Sequence, residues 1–142
     1  MSARTDGWRP GSGRLPPPGT RMAEQTFRQS DLPAIRRFAA EFGARAGVEA
    51  RRHADFVLAV SEAAASALAY GPCSARLRLW TVGTRAFGEI YADEMMLRQG
   101  PLGVRQDGAE TLRRWLLRQL CDDVSVEPGP HGVTVRFSVV LT

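Results

Sequence analysis

No stretch of this chain approaches the roughly 18 consecutive apolar residues that a membrane-spanning helix requires, so a helical membrane protein is not expected. The opening residues, MSARTDGWRPGSGRLPPPGT, lack the apolar core of a signal peptide. That reading places the protein in the cytoplasm. Cysteine is scarce: Cys73 and Cys121 stand alone, without neighbours at metal-ligand spacing. A disulfide scaffold is therefore not expected, and buried free thiols are. Histidine is equally scarce. His53 and His131 are isolated from each other, which argues against a histidine-centred metal site. Lysine is absent altogether, and all 19 basic residues are arginine, a bias that base composition of the host genome would produce. A basic stripe is missing too. Residues 1–21 hold four arginines against Asp6, a charge of +3, and the rest holds 15 arginines against 14 acids, a charge of +1. Most of the net +4 sits in the first 21 residues, so nucleic acid is not the expected partner.

What is present is enough for one domain with a real core: 142 residues, 44% of them hydrophobic. Residues 10–19, PGSGRLPPPG, contain seven Pro or Gly in ten positions and cannot repay ordering by burying side chains. Residues 1–22 are read as a tail and 23–142 as a single domain. Trp8 in that tail is either an anchor for a partner or a plain tail residue.

Asp31 can cap a helix running to Ala46, with Leu32, Ile35, Phe38, Ala39 and Phe42 as its apolar stripe and Gly43 and Gly47 at its weakening end. A second helix is expected from Glu49 to Tyr70, stopped by Gly71-Pro72. ARLRLWTV (75–82) and AFGEIYAD (86–93) alternate with period two and read as a hairpin turning through Gly83-Thr84. Residues 94–108 show no clear period and read as a long loop. A third helix is expected from Ala109 to Cys121, with Leu112, Trp115, Leu116 and Leu120 facing inward. DVSVE and GVTVRFSVVL close the chain as two strands joined by a Pro-Gly-Pro turn. The expected architecture is an α+β two-layer sandwich, a mixed or antiparallel sheet packed against helices on one side.

The second helix carries the most suggestive polar pair. Val57, Val60, Ala64 and Leu68 cluster on one side, while Glu62, Ser66 and Tyr70 fall four apart on another. Six of the eleven residues from Ala59 to Ala69 are alanine, so a sheet, another helix or a ligand can come close. Spacing alone leaves two readings: a solvated edge of a core helix, or the wall of a pocket.

Three segments, LPAIRRFAAEFGARAG, ADFVLAVSEAAASALAYG and LRRWLLRQLCDDVSVEPGPHGVTVRFSVVL, together resemble the histidine-kinase-like (GHKL) ATPase fold, specifically the bacterial anti-sigma-factor kinases of the RsbW/SpoIIAB type. The resemblance covers residues 24–141. It implies that Glu62 stands at the position of the glutamate that orients the phosphoryl acceptor. It implies that Ser66 stands where the family's Mg²⁺-holding asparagine belongs, and Tyr70 at the usual histidine. Asp93 best matches the adenine-reading aspartate, with Ala92 as the alternative register, but Met95 and Leu97 stand where two glycines belong. The phosphate-binding glycines before the last helix map to Thr111 and Arg113, with Gly108 three positions early. Arg113 and Arg114 are either phosphate contacts or exposed arginines on the polar face of that helix.

All three nucleotide elements depart from the family pattern while the scaffold pattern persists. The resemblance thus implies a regulatory module that binds proteins, such as a sigma factor or an anti-sigma antagonist, as a homodimer through the first-helix side, with no cofactor. The alternatives are an active ATP-dependent serine/threonine-protein kinase, with ATP and Mg²⁺ held by Ser66, Asp93, Gly108 and Arg113, and a structural scaffold. Met95, Met96 and Leu97 would cover the emptied pocket or offer a sticky patch to another protein.

Overall fold

The computed structural model describes residues 21–68, 74–93, 108–129 and 132–141. In chain order these form β1 (Ala23–Phe27), a short 3₁₀ turn (Gln29–Asp31), α1 (Leu32–Ala46), α2 (Ala50–Leu68), β2 (Ala75–Val82), β3 (Arg85–Asp93), α3 (Gly108–Leu120), β4 (Asp123–Gly129) and β5 (Gly132–Val140). The strands make one five-stranded sheet in the order β1-β2-β3-β5-β4, and every neighbouring pair is antiparallel. The two-layer α+β expectation holds.

The hairpin follows its alternation. Ala75, Leu77 and Leu79 of β2 are buried toward the helices, as are Ala86, Ile90 and Ala92 of β3. On β5 the same side carries Val133, Val135, Phe137 and Val139. Gly83 makes the tight connection between β2 and β3 at φ 61°, a left-handed conformation that glycine adopts without a Cβ clash. Trp80 and Phe87 fall on the opposite face, directly across from each other in the register, and stack at 5.9 Å.

Helix α1 begins after Asp31, but Asp31 does not cap it through its side chain. Its carboxylate accepts the Arg28 N–H at 2.9 Å instead and closes the preceding 3₁₀ turn. At the other end, Gly47 takes the left-handed conformation and its N–H bonds back to the Gly43 carbonyl, a glycine C-cap. Gly43 is inside the helix rather than at its end. A Cβ there would lie 3.1 Å from the His53 ring, so the glycine lets α2 approach α1. His53 Nε2 lies 3.1 Å from the Ala40 carbonyl, and Phe42 stacks on Phe56 at 6.0 Å. His53 therefore ties two helices together.

Two further expectations fail. Strand β1 was not anticipated: AEQTF has five residues and only Phe27 is buried. Helix α3 is turned away from the expected orientation. Leu112 and Trp115 are exposed, and the buried residue is Leu117, with Leu116 and Leu120 half-buried beside it. Trp115 lies roughly 160° around the helix from Leu117, so one side chain cannot face the core if the other does. Among the described residues, no helix is long and apolar enough to cross a membrane.

Candidate functional site

Helix α2 is the centre of the helical layer. It packs on α1, on α3 and on strands β2, β3 and β5. Its alanines make this geometry feasible: Ala59, Ala63, Ala64 and Ala67 are wholly buried, and small side chains let several neighbours reach the backbone at once. From Ala59 onward, burial runs around most of the helix.

That arrangement changes the reading of the polar pair. Ser66 is completely buried, so it is not part of a solvated edge. Glu62, one turn earlier, is half-buried. Ser61 is also buried, and its hydroxyl accepts a hydrogen bond from Arg36 Nε of α1 at 3.2 Å. The contribution of Ser61 was not visible in the sequence, because the i, i+4 pattern drew attention to 62, 66 and 70 and the partner lies 25 residues earlier.

The sheet supplies the floor beneath α2. At its end nearest the start of β2, the register sets Phe27, Ala75, Ala92 and Val133 side by side across four strands. All four are buried and all are apolar. Asp93 ends β3 opposite Gly132 and is in phase with Glu89 and Tyr91, whereas Ala92 is in phase with the helix-facing residues. Gly108 is the first residue of α3, and α3 packs on α2. Arg113 and Arg114 lie within α3, but their side chains are outside the described residues, as are Tyr70, Cys73, Met95, Met96, Leu97 and His131. The fold thus joins the helix bearing Glu62 and Ser66 to the helix beginning at Gly108, above a row of hydrocarbon.

Among the described residues, two small cavities flank the sheet. One of about 220 Å³ is lined by Thr26, Ser74, Ala75, Arg76 and Tyr91. The other, about 120 Å³, lies between α3 and β4 and is lined by Leu117, Arg118, Val124, Ser125 and Val126. Neither includes Glu62 or Ser66. Among the described residues no group of three His, Cys, Asp or Glu could hold a metal ion.

Cys121 is a free, buried thiol just past α3. Burial, reinforced by the neighbouring Asp122 carboxylate, pushes its pKa up to about 12 from 9.0. The thiolate is the reactive form, so this cysteine is inert in the folded protein. The shift also fixes a sign for stability. Above about pH 9 the unfolded chain releases the thiol proton while the folded chain retains it, so stability falls as pH rises. The expected loss is about 1.4 kcal/mol per pH unit between those two pKa values. Urea unfolding at pH 8.5, 9.5 and 10.5 tests this, with Cys121→Ser as the comparison that removes the slope.

No protein-family model matches the chain, and no curated protein matches it.

Proposed function

We propose that the chain is a regulatory protein-binding module with the histidine-kinase-like ATPase architecture of the anti-sigma-factor kinases, and that its nucleotide site has lost the groups nucleotide binding requires. The observation that carries this reading is the hydrocarbon row beneath α2. Recognition of an adenine amino group needs a buried acceptor, and the helix-facing position at the end of β3 is Ala92, flanked by Ala75 and Val133. Ser66 supports it further. A Mg²⁺ ion takes near-ideal octahedral oxygen geometry, and a short, wholly buried hydroxyl is a poor substitute for a carboxamide. The chain contains no asparagine that could take over from another position. ATP and Mg²⁺ therefore do not fit these residues, and phosphoryl transfer, which depends on positioning and metal-assisted charge stabilisation, loses its basis.

Protein binding is supported by α3. Leu112 and Trp115, three residues apart, put a leucine and a tryptophan together on an exposed side of the helix. Apolar side chains of that size exposed together mark interaction surfaces more often than chance exposure does.

Calorimetric titration with ATP and Mg²⁺ is expected to give no saturable heat, and incubation with labelled ATP and candidate antagonists no transfer. Micromolar, magnesium-dependent binding with transfer would establish the active serine/threonine-kinase reading instead, with Glu62 at the acceptor hydroxyl. Affinity capture from native cells is expected to recover a sigma factor or its antagonist. Recovery of neither, with structural partners in their place, would favour the scaffold reading.

A further inference from the structure

Strand β4 ends the sheet: it pairs with β5, and among the described residues no strand lies beyond it. Edge strands carry outward-pointing N–H and C=O groups that can pair with another chain, and proteins ordinarily blunt them with charge or proline. Here the blunting is partial. Pro128 guards the end of β4. The acids on either side of Val124-Ser125-Val126 are turned onto the face away from the helices, where Asp123 meets Arg85 and Glu127 meets Arg136. On the helix side Val124 and Val126 stand opposite Phe137 and Val135 and are only half-buried. The cavity of about 120 Å³ lies in the groove between this edge and α3, lined by Leu117, Arg118, Val124, Ser125 and Val126.

We propose that this groove takes an extended segment of a partner protein as an added strand along β4, with a branched aliphatic side chain in the cavity and a carboxylate two residues away on Arg118. Such binding rests on the protein-binding reading of the chain and gives it a partner chemistry. In strand addition, main-chain pairing supplies affinity and pockets for alternate side chains supply specificity. The cavity sets the first specific element. Its apolar wall is Leu117, Val124 and Val126, and its volume is somewhat below the roughly 150 Å³ of a hydrocarbon-lined cavity that accepts benzene. One valine, leucine or isoleucine side chain matches that space. Arg118 sets the second. It is exposed and forms no ion pair among the described residues, whereas Arg78, Arg85 and Arg136 of the sheet each do. Side chains two apart on a strand share a face and stand roughly 7 Å apart, within reach of an arginine at the rim.

The exposed side of α3 extends the surface. Leu112, Trp115 and Arg118 follow at intervals of three, each about 60° further round the helix. The tryptophan thus stands between the exposed leucine and the arginine that lines the groove. A second copy of this chain is a poorer occupant. The acid in phase with Val124 and Val126 is Asp122, and its carboxylate already accepts the Val140 N–H at 2.6 Å. A free small carboxylic acid fits the cavity but leaves the strand edge without a partner.

The test follows amide resonances of the full, isotope-labelled chain with two blocked peptides, acetyl-Lys-Thr-Ile-Thr-Asp-Thr-amide and acetyl-Lys-Thr-Asp-Thr-Ile-Thr-amide, one for each strand direction. Saturable shifts and slowed exchange at residues 123–127 with one of them support the proposal. Arg118→Gln is expected to weaken that peptide several-fold and to leave its Asp-to-Asn counterpart unchanged; equal losses for both overturn the proposal. N-methylation of one set of alternate peptide amides is expected to abolish binding, and indifference to methylation of either set overturns strand addition. No shift at millimolar peptide overturns the proposal, as do shifts confined to residues 112–118, because α3 alone is then the surface. Isovalerate reproducing the full set of shifts overturns it in favour of a small acid. The same shifts on concentrating the protein without peptide overturn it in favour of a second copy. Purified components are used throughout, so failure here is distinct from failure of the affinity capture, which tests protein binding as such.

Discussion

Gly88→Ala is expected to destabilise the domain by about 3 kcal/mol, near the upper end of the range for overpacking a core. Gly88 and Phe137 are directly opposed on β3 and β5. The Phe137 ring lies over the glycine, and a Cβ at residue 88 would fall onto it, 2.6 Å from Cε1 and 2.7 Å from Cε2. Real Cβ atoms do not sit so close, so the ring must move. Phe137 is 1% exposed and is enclosed by the helical layer, so it has little room to retreat. Glycine is ordinarily a poor strand residue because it loses entropy and contributes no side chain. Here the missing side chain is the space the phenyl ring fills. Urea unfolding of Gly88→Ala, Phe137→Leu and the double variant forms a cycle. The double variant should be more stable than the sum of the two losses, because the smaller leucine vacates the volume that the new methyl needs. Strict additivity would show that the ring and the glycine are independent.

Arg136→Met is expected to remove about 2 kcal/mol. The guanidinium lies on the sheet's far face between two carboxylates, with Nε 3.0 Å from Glu89 and Nη1 3.0 Å from Glu127. Arg136 is 15% exposed and Glu89 20%, so both have lost most of their water. Removing one partner of a buried pair leaves the other charge poorly compensated, which costs several kcal/mol when burial is complete. Partial exposure, together with the more distant Arg78 at 3.8 Å from Glu89, brings the figure down. Arg85→Met is the internal comparison. Its partner Asp123 is half exposed, and the expected change is under about 0.5 kcal/mol. Glu89→Gln placed on top of Arg136→Met should recover part of the loss, since the stranded charge is then gone. Chemical denaturation at constant pH checks each step. Equal effects at Arg136 and Arg85 would rule out burial as the deciding variable.

How legible these features were differs by element. Strand β2 was readable to the residue, because ARLRL alternates cleanly, β-prone Trp80-Thr81-Val82 extend it to the Gly83 turn, and both of its neighbours in the sheet accept that phase. Strand β1 was not, since it lies at the sheet edge and buries one side chain fully, too little to set a period. In α3 the apolar positions 112, 115, 116, 117 and 120 span so much of the helix circumference that no unique inward face can be read from them. Packing settles the choice through Leu117 and Cys121, one turn apart and both buried. For the candidate site, the i, i+4 spacing of Glu62 and Ser66 identified the right helix but misjudged its surroundings. The alanines that permit close packing also enclose the serine, and how many neighbours take up that permission depends on topology. The alternative between residues 92 and 93 could be posed from sequence, but their phase relative to α2 depends on the pairing of β3 with β2 and β5.

The position of β1 has a consequence for the chain as it is synthesised. Among the described elements this strand is translated before the others, yet its hydrogen-bonding partner is β2, with Ala23 matched to Leu79 and Phe27 to Ala75. Both α1 and α2 must be translated before that partner exists. Until then the nascent polypeptide carries an unmatched backbone edge and a helical pair whose oily side has nothing to lie on, the situation that recruits chaperones. The β2–β3 hairpin, by contrast, closes locally as soon as it is made. The β2–β3 hairpin is thus expected to pair before β1 is captured, and pulsed hydrogen exchange during refolding, with amides of 75–93 protected ahead of those of 23–27, checks this.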